Sequence, residues 1–199
     1  MQAVVNVQPS SGQDRAAAIP VAGGYLVVLA DGAGGTGNGA AAAERLIEFV
    51  GERLANPDTR DWFAALCEFD DALASDALGG ETTAIVAFVA TDRLRGASVG
   101  DSSAWLVGPT GGMTDLTAAQ RRKPLLGSGE ALPVEFEATR FGQHVLFGSD
   151  GLFKYAPADR ICAFVRGGAS AEAVAALVDC VRLPSGQLHD DVAVVIVSG

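Results

Sequence analysis

Long apolar runs, paired cysteines and basic residues are all scarce in this chain, and each scarcity removes a class of function. No apolar run approaches the roughly 20 residues that cross a bilayer, so no membrane span is expected. The opening residues, Met1-Gln-Ala-Val-Val-Asn6, carry neither a basic stretch nor a long apolar core. They predict no secretory signal and a cytoplasmic location. Cys67, Cys162 and Cys180 are the only cysteines; none belongs to a CxxC pair, and each falls in a helix-like segment. Buried, reduced thiols are expected. Lys and Arg number 14 against 24 Asp and Glu, a formal net charge of −10 that disfavours nucleic acid and anionic membrane as partners. Only 19% of the residues are charged and 49% are hydrophobic, so the 199 residues are expected to fold as one domain, 1–199, with a real core.

What is present is a set of acidic turns at the ends of apolar runs. Asp31-Gly32 follows Tyr25 to Ala30, Asp101-Ser102 follows Gly96 to Gly100, and Asp150-Gly151 follows Val145 to Ser149. Asp190-Asp191 precedes Val192 to Val197. Carboxylates at the tips of buried strands repel one another if those tips converge. Divalent cations neutralise such a cluster, and hard cations prefer oxygen donors. The pattern therefore points to a metal centre assembled from distant residues. Bound cations would also reverse the field locally, so the net charge leaves a phosphorylated substrate open.

Val4 to Val7 and Tyr25 to Ala30 read as strands joined by a polar connection running from Ser10 to Asp14. The glycine-rich stretch Gly32 to Gly39 opens a helix with Ala43, Leu46, Ile47, Val50 and Leu54 on one face. Asn56-Pro57 stops it, and Asp58 is placed to cap a second helix bearing Trp62, Leu66, Phe69 and Leu73. Thr82 to Ala90, Arg93 to Val99 and Ser103 to Val107 form close-spaced strands, which favours antiparallel neighbours. The stretch Gly108 to Arg140 shows no clear periodicity and contains the basic cluster Arg121-Arg122-Lys123. His144 to Ser149 resumes strand character, and Pro157 starts a helix. Ser170 caps a last helix with Val174, Leu177, Val178 and Val181, before the closing strand Val192 to Val197. Clustered strands with helix pairs early and late predict an α+β layered fold, antiparallel sheets packed together under helices.

Five short motifs fall in one order along this framework. They are Asp31-Gly-Ala-Gly-Gly35, Gly80-Glu-Thr-Thr-Ala84, Gly100-Asp-Ser102, Ser149-Asp-Gly151 and Asp190-Asp-Val-Ala193. Each alone is a common turn sequence. Together, over residues from about Gly12 to Val197, the chain resembles the metal-dependent Ser/Thr protein phosphatases of type 2C, as a short bacterial member. The resemblance implies a four-layer α/β/β/α sandwich, two antiparallel sheets flanked by helix pairs, with two Mn²⁺ or Mg²⁺ ions at one end. It implies that Asp31 bridges the ions, the Gly32 carbonyl binds one, and Asp150 and Asp190 complete the other's shell. Asp101 corresponds to a ligand of a third, weakly held ion, and Asp14 to a metal or water-shell ligand. The implied reaction is hydrolysis of phosphoserine or phosphothreonine in a protein by water that the ions activate, with Asp31, Asp150 and Asp190 as catalytic residues.

The chain departs from that pattern in several places. Gln13 stands before Asp14 where the family has an acidic residue, and no arginine occurs in Val7 to Gly12. Ser103 replaces the arginine common after the GDS motif, and Ala33 replaces a histidine. The sequence between Asp101 and Asp150 is short, so a truncated or absent flap is expected. The residues thus leave two readings open: an active phosphatase, or a pseudophosphatase that binds a phosphoprotein or regulatory partner without turnover. Partner-switching signalling through anti-sigma antagonists, or a cognate Ser/Thr kinase, is the suggested partner context. Among other polar residues, His189 is read as an exposed loop histidine with a proton-donor alternative, and His144 as a strand-entry residue. Arg121, Arg122 and Lys123 are read as a solvated run with a phosphopeptide-binding alternative. Trp62 and Trp105 are expected in the core, and Thr82 and Thr83 are expected to serve strand structure beside the site.

Overall fold

Alternation in the central strands builds two sheets back to back. The computed structural model describes residues 1–199, apart from the side chain of Thr36. The first sheet joins β1 (Gln2–Gln8), β10 (Val192–Ser198), β9 (His144–Gly148), β6 (Ser103–Val107) and β7 (Met113–Asp115), in that spatial order. The second joins β2 (Arg15–Val21), β3 (Gly24–Ala30), β4 (Ala84–Val89), β5 (Arg93–Val99) and β8 (Val134–Thr139). Every pairing is antiparallel. Val27 and Leu29 of β3, Ile85 of β4, Phe147 of β9 and Val195 of β10 share the core between the sheets. The intervening residues point outward, as a side-chain period of two requires.

Those outward faces are covered by helices. α1 (Gly39–Gly51) and α2 (Trp62–Ala74) set Leu46, Val50, Leu66 and Phe69 against Leu26, Val28 and Val86. On the other side α4 (Ala158–Val165) and α5 (Ala171–Asp179) set Ile161, Val165, Leu177 and Val178 against Leu146, Val194 and Ile196. The result is the expected four-layer α/β/β/α sandwich. Central strands buried on both faces explain why their sequences read as unbroken apolar runs. Among the described residues, no helix is long and apolar enough to cross a membrane.

Several local expectations need correction. The Ser10 to Asp14 connection leads into β2, whose Arg-Ala-Ala-Ala-Ile-Pro-Val sequence has low strand propensity. Its Pro20 is tolerated because β2 lies at a sheet edge. The aperiodic stretch likewise contains β7 and β8; β8 is the opposite edge of the same sheet and alternates Glu135 and Glu137 outward around buried Phe136. The helix after Pro57 is capped by Asp61, not Asp58: the Asp61 carboxylate accepts the Ala64 N–H at 2.8 Å, and Asp58 pairs with Arg93 at 2.6 Å. α1 and α5 end before Leu54 and Val181, which still pack on the same clusters. Of the three free cysteines only Cys162 is buried; Cys67 and Cys180 are half-buried. Trp62 and Trp105 are core residues as expected.

Candidate active site

One edge of the sandwich collects the acidic turns. β3, β5 and β9 finish there, and β2, β4 and β10 begin there, so the antiparallel registers bring Asp14, Asp31, Asp101, Asp150 and Asp190 toward one another. Asp31 extends the β3–β4 ladder by one step. Its N–H donates to Thr83 Oγ1 at 3.0 Å, and its carbonyl accepts the Thr83 N–H at 2.9 Å and the Thr82 hydroxyl at 3.0 Å. Ser102 braces Thr83 from behind, with the two hydroxyls 2.8 Å apart. Thr82 and Thr83 therefore serve the strands beside the site, and Ser102 of the third motif joins them.

The glycines of the two Asp-Gly motifs have a steric reason. A Cβ on Gly32 would stand 2.4 Å from the Gly39 carbonyl, and one on Gly151 would stand 2.0 Å from the Asp191 carbonyl oxygen. Only glycine allows such close backbone approach. Asp150 opens the short helix α3 (Asp150–Phe153) directly at the end of β9. Ser149 before it exchanges bonds with Ala193 of β10, at 3.0 Å through its N–H and 2.9 Å through its hydroxyl.

The electrostatics follow from burial and crowding. Burial first, then the charges of Asp14, Asp150, Asp190 and Asp101, push the Asp31 carboxyl up to about 9. Asp14 is pushed up to about 7, mainly by burial, against a hydrogen bond from Ser149 and with the charges of Asp191, Asp190 and Asp150 adding to the rise. Its Oδ2 is buried and has no hydrogen-bond partner. Asp101 is also raised, by burial and then by Asp150. Two cations offset part of this: Arg122 Nε is 2.7 Å from Asp101 Oδ2, and Lys154 Nζ bonds Asp150 Oδ2 one turn along α3.

Asp191 behaves in the opposite way. Burial alone would raise it, but the backbone N–H groups of Gln13, Gly12, Ser10 and Ser11 bring it down to about 2. The bonds from Ser11 and Gly12 measure 2.6 and 3.0 Å, and the Ser11 hydroxyl adds one at 3.1 Å. This carboxylate is thus a structural anchor that folds the Ser10 to Asp14 loop against the start of β10.

Not every candidate residue enters the same space. A cleft of about 200 Å³ is lined by Asp31, Ala33, Thr83, Asp101 and Asp150 together with Arg122 and Lys123. Asp14 lines a neighbouring pocket of about 370 Å³ with Asp191. Asp190 is exposed and accepts the Asp191 N–H at 3.0 Å. The Gln13 side chain lies beside Gly34. His189 is exposed and stacks on Tyr155, ring centroids 4.5 Å apart, and His144 sits at the entry to β9, the far end of the strand from Asp150. The cation run is not simply solvated, since Arg122 and Lys123 face the cleft. Reading by motif missed Lys154 and assigned no role to Asp191 or Ser102, which stand inside the quoted motifs. An i,i+4 offset from Asp150 was the available signal for Lys154, and motif adjacency was the signal for the other two.

The donor set tests the implied metal. Among the described residues, no three His, Cys, Asp or Glu side chains already stand in a ligand cage. The chemistry nevertheless fits a hard divalent cation: all the converging side chains offer oxygen, one buried oxygen of Asp14 has no donor, and burial and then the neighbouring carboxylates push the Asp31 carboxyl up. Asp14, Asp31, Asp101, Asp150 and Asp190 are the residues that could hold such ions, with the Gly32 carbonyl beside them.

No protein-family model matches the sequence, and no curated protein is significantly similar to it. Solved structures do match its fold. A bacterial serine phosphatase superposes with a TM-score of 0.85 at 18% identity, covering 100% of this chain and 97% of that one. The catalytic domain of the serine threonine protein phosphatase PstP, in complex with two manganese ions, gives 0.78 at 21% identity, covering 98% and 96%. The serine/threonine phosphatase Stp1 from Staphylococcus aureus gives 0.80 at 17% identity, covering 100% and 94%. At these identities the likeness is one of fold: this chain has the fold of bacterial Ser/Thr phosphatases.

Proposed function

We infer that this chain belongs to the type 2C phosphatases and hydrolyses phosphoserine or phosphothreonine in a protein substrate with Mn²⁺ or Mg²⁺. The observation that carries this reading is the convergence of Asp14, Asp31, Asp101, Asp150 and Asp190 from separate strand ends, at a cost in mutual repulsion that Arg122 and Lys154 offset only in part and that bound cations would relieve. Asp31, Gly32, Asp150 and Asp190 would hold two ions, with Asp14 in the same shell and Asp101 at a third, weaker position. When bound, such ions supply an activated water and offset charge on the phosphoryl oxygens. The chain's own residues do the positioning. Thr83 and Ser102 fix the Asp31 backbone, Ser149 ties Asp150 to β10, and Asp191 folds the loop that carries Asp14. None of these residues forms a covalent phosphoenzyme in this scheme.

The test is Mn²⁺-dependent release of phosphate from a phosphopeptide, abolished by Asp31→Asn or Asp150→Asn. Full activity in EDTA overturns the reading. One observation favours a second: Lys154 already pairs with Asp150, and no ligand cage is ready-made among the described residues. A pseudophosphatase would bind phosphopeptide tightly by calorimetry yet release no phosphate at saturating Mn²⁺. An upstream kinase or an anti-sigma partner, and a cytoplasmic location, remain part of this proposal and are tested by identifying the phosphoprotein that accumulates when the chain is removed.

A further inference from the structure

The basic run between β7 and β8 lies on a strap fastened at both flanks. Before it, the Ser98 hydroxyl donates to Gln120 Oε1 at 3.2 Å, and Gln120 Nε2 donates to the Leu132 carbonyl at 3.3 Å. After it, Thr82 and Leu126 exchange backbone hydrogen bonds of 3.0 and 3.1 Å. The buried Asp70 carboxylate of α2 then accepts the N–H groups of Gly127, Gly129 and Ala131 at 2.6, 3.1 and 2.9 Å. A segment held this way gives its side chains a fixed address.

That address is the wall of the acidic cleft. Arg122 and Lys123 line it with Asp31, Asp101 and Asp150, and Arg121 does not. The bond to Asp101 uses Arg122 Nε and orients the planar guanidinium, whose five donors suit two-pronged contact with phosphate oxygens. The Arg122 side chain is still 70% exposed, so its remaining donors are open to a ligand. Among the described residues Lys123 has no ion pair, whereas Lys154 is committed to Asp150. A phosphate dianion approaching a ring of carboxylates needs fixed positive charge beside it, and these two side chains supply it at the mouth of the cleft.

We propose that Arg122, seconded by Lys123, binds the phosphoryl oxygens of the substrate from the strap side of the cleft. The proposal deepens the phosphatase reading of this site and rests on it for the identity of the substrate. It makes Arg122 a binding residue for the phosphate group and Asp70 a positioning residue that keeps the strap in place.

The experiment compares wild type with Arg122→Ala, Arg122→Lys, Lys123→Ala and, as a control on the same strap, Arg121→Ala. Inorganic phosphate is titrated calorimetrically into the Mn²⁺-loaded proteins, and KM and kcat are measured on p-nitrophenyl phosphate. Arg122→Ala should weaken phosphate about tenfold and raise KM by a similar factor, with a smaller change in kcat. Arg122→Lys should recover part of the loss, Lys123→Ala should weaken phosphate a few-fold, and Arg121→Ala should match wild type. These side chains are exposed, and thermal melting confirms that each variant folds. Phosphate affinity unchanged in Arg122→Ala overturns the proposal, as does an equal loss in Arg121→Ala, and as does wild type that binds no phosphate at millimolar concentration. Wild type that binds phosphate but hydrolyses nothing overturns the phosphatase reading alone, and the calorimetric comparison still decides the role of Arg122.

Discussion

Two ends of one sandwich bury charge, and they treat it differently. At one end the carboxylates of Asp14, Asp31, Asp101, Asp150 and Asp190 converge, with a buried Asp14 oxygen that no donor reaches. At the other, about 20 Å away along seven-residue strands, Arg140 is fully buried. It has no side-chain carboxylate partner among the described residues. Instead its guanidinium donates to the carbonyls of Ala90, Gln143 and Gly199 at 3.0, 2.9 and 3.1 Å. Burial lowers its pKa, yet these backbone oxygens solvate the charge and tie the β4–β5 turn, the β8–β9 turn and the end of β10 together. The fold itself supplies oxygens to both terminal nitrogens of Arg140, though its Nε and the nearby His144 Nδ1 have no partner, whereas at the acidic end like charges converge with only Arg122 and Lys154 to offset them. Like charges that the fold brings together and only partly offsets mark the end where chemistry is expected.

The largest expected effect breaks the acidic end. On the proposed phosphatase reading, Asp31→Asn should lower turnover about a hundredfold or more, because it would remove a carboxylate that would hold the ions. In EDTA the same variant should be more stable than wild type by at least about 1 kcal/mol, since a neutral amide escapes both the cost of burying charge and the repulsion. The sign is set by a carboxyl raised from 3.8 to about 9: its contribution to the metal-free fold is present below 3.8 and is lost as pH rises through about 9. The advantage of Asp31→Asn in EDTA should therefore grow with pH. Urea unfolding of both proteins in EDTA at pH 5 and pH 9 checks it; a variant less stable than wild type at pH 9 contradicts it.

The opposite end should answer with stability and not with turnover. Arg140→Ala leaves the Ala90, Gln143 and Gly199 carbonyls without their donor and opens a cavity, at a cost of about 3 kcal/mol or more. Below the lowered melting point kcat should be unchanged, because the acidic edge lies at the far end of the strands. A thermal melt and an assay at low temperature separate the two quantities. A comparable loss of kcat would show that the ends are coupled.

The sequence made one end far more legible than the other. Each acidic turn is local, a carboxylate at the tip of an apolar run and, for Asp31, Asp101 and Asp150, beside a glycine, so these three and Asp190 could be picked without knowing their neighbours. Asp14, which lies in none of the five motifs, was reachable only through the family resemblance. The doubly buried strands β3, β4, β9 and β10 read clearly for the same local reason. Arg140 offered no such signal: what solvates it are backbone carbonyls at 90, 143 and 199, and carbonyls are not written in side-chain chemistry. Edge strands β2 and β8 were lost because alanine, Pro20 and alternating glutamates suit an edge but imitate a loop. The strap is similar, since the clasp between Asp70 and residues 127–131 is a tertiary contact with no sequence period.

A smaller effect sharpens what holds the acidic end in shape. Asp191→Asn keeps the side-chain volume but removes the charge on which the Ser10, Ser11, Gly12 and Gln13 N–H groups converge. Charge-assisted bonds of this kind contribute about 1.5–3 kcal/mol, and Asn retains one acceptor, so a loss of about 1–2 kcal/mol is expected. Because the loop carries Asp14, the variant should also bind Mn²⁺ less tightly by calorimetry. Unchanged stability would mean that the loop is held by its other contacts.

The smallest effect belongs to the far end and appears as a pH dependence. His144, at the start of β9, has a buried Nδ1 without a partner. Burial lowers its pKa from 6.5, the charge of Arg140 lowers it further, and a hydrogen bond with the Arg166 backbone opposes both. The fold therefore prefers neutral imidazole. The stability this provides is present above 6.5 and is lost as pH falls toward the lowered value. The stability difference between wild type and His144→Leu, measured by urea unfolding with Mn²⁺ present, should accordingly shift against wild type between pH 7.5 and pH 5.5. A difference that stays constant with pH would mean the imidazolium reaches water at the β9 entry, and that the far end tolerates a second positive charge as readily as it solvates the first.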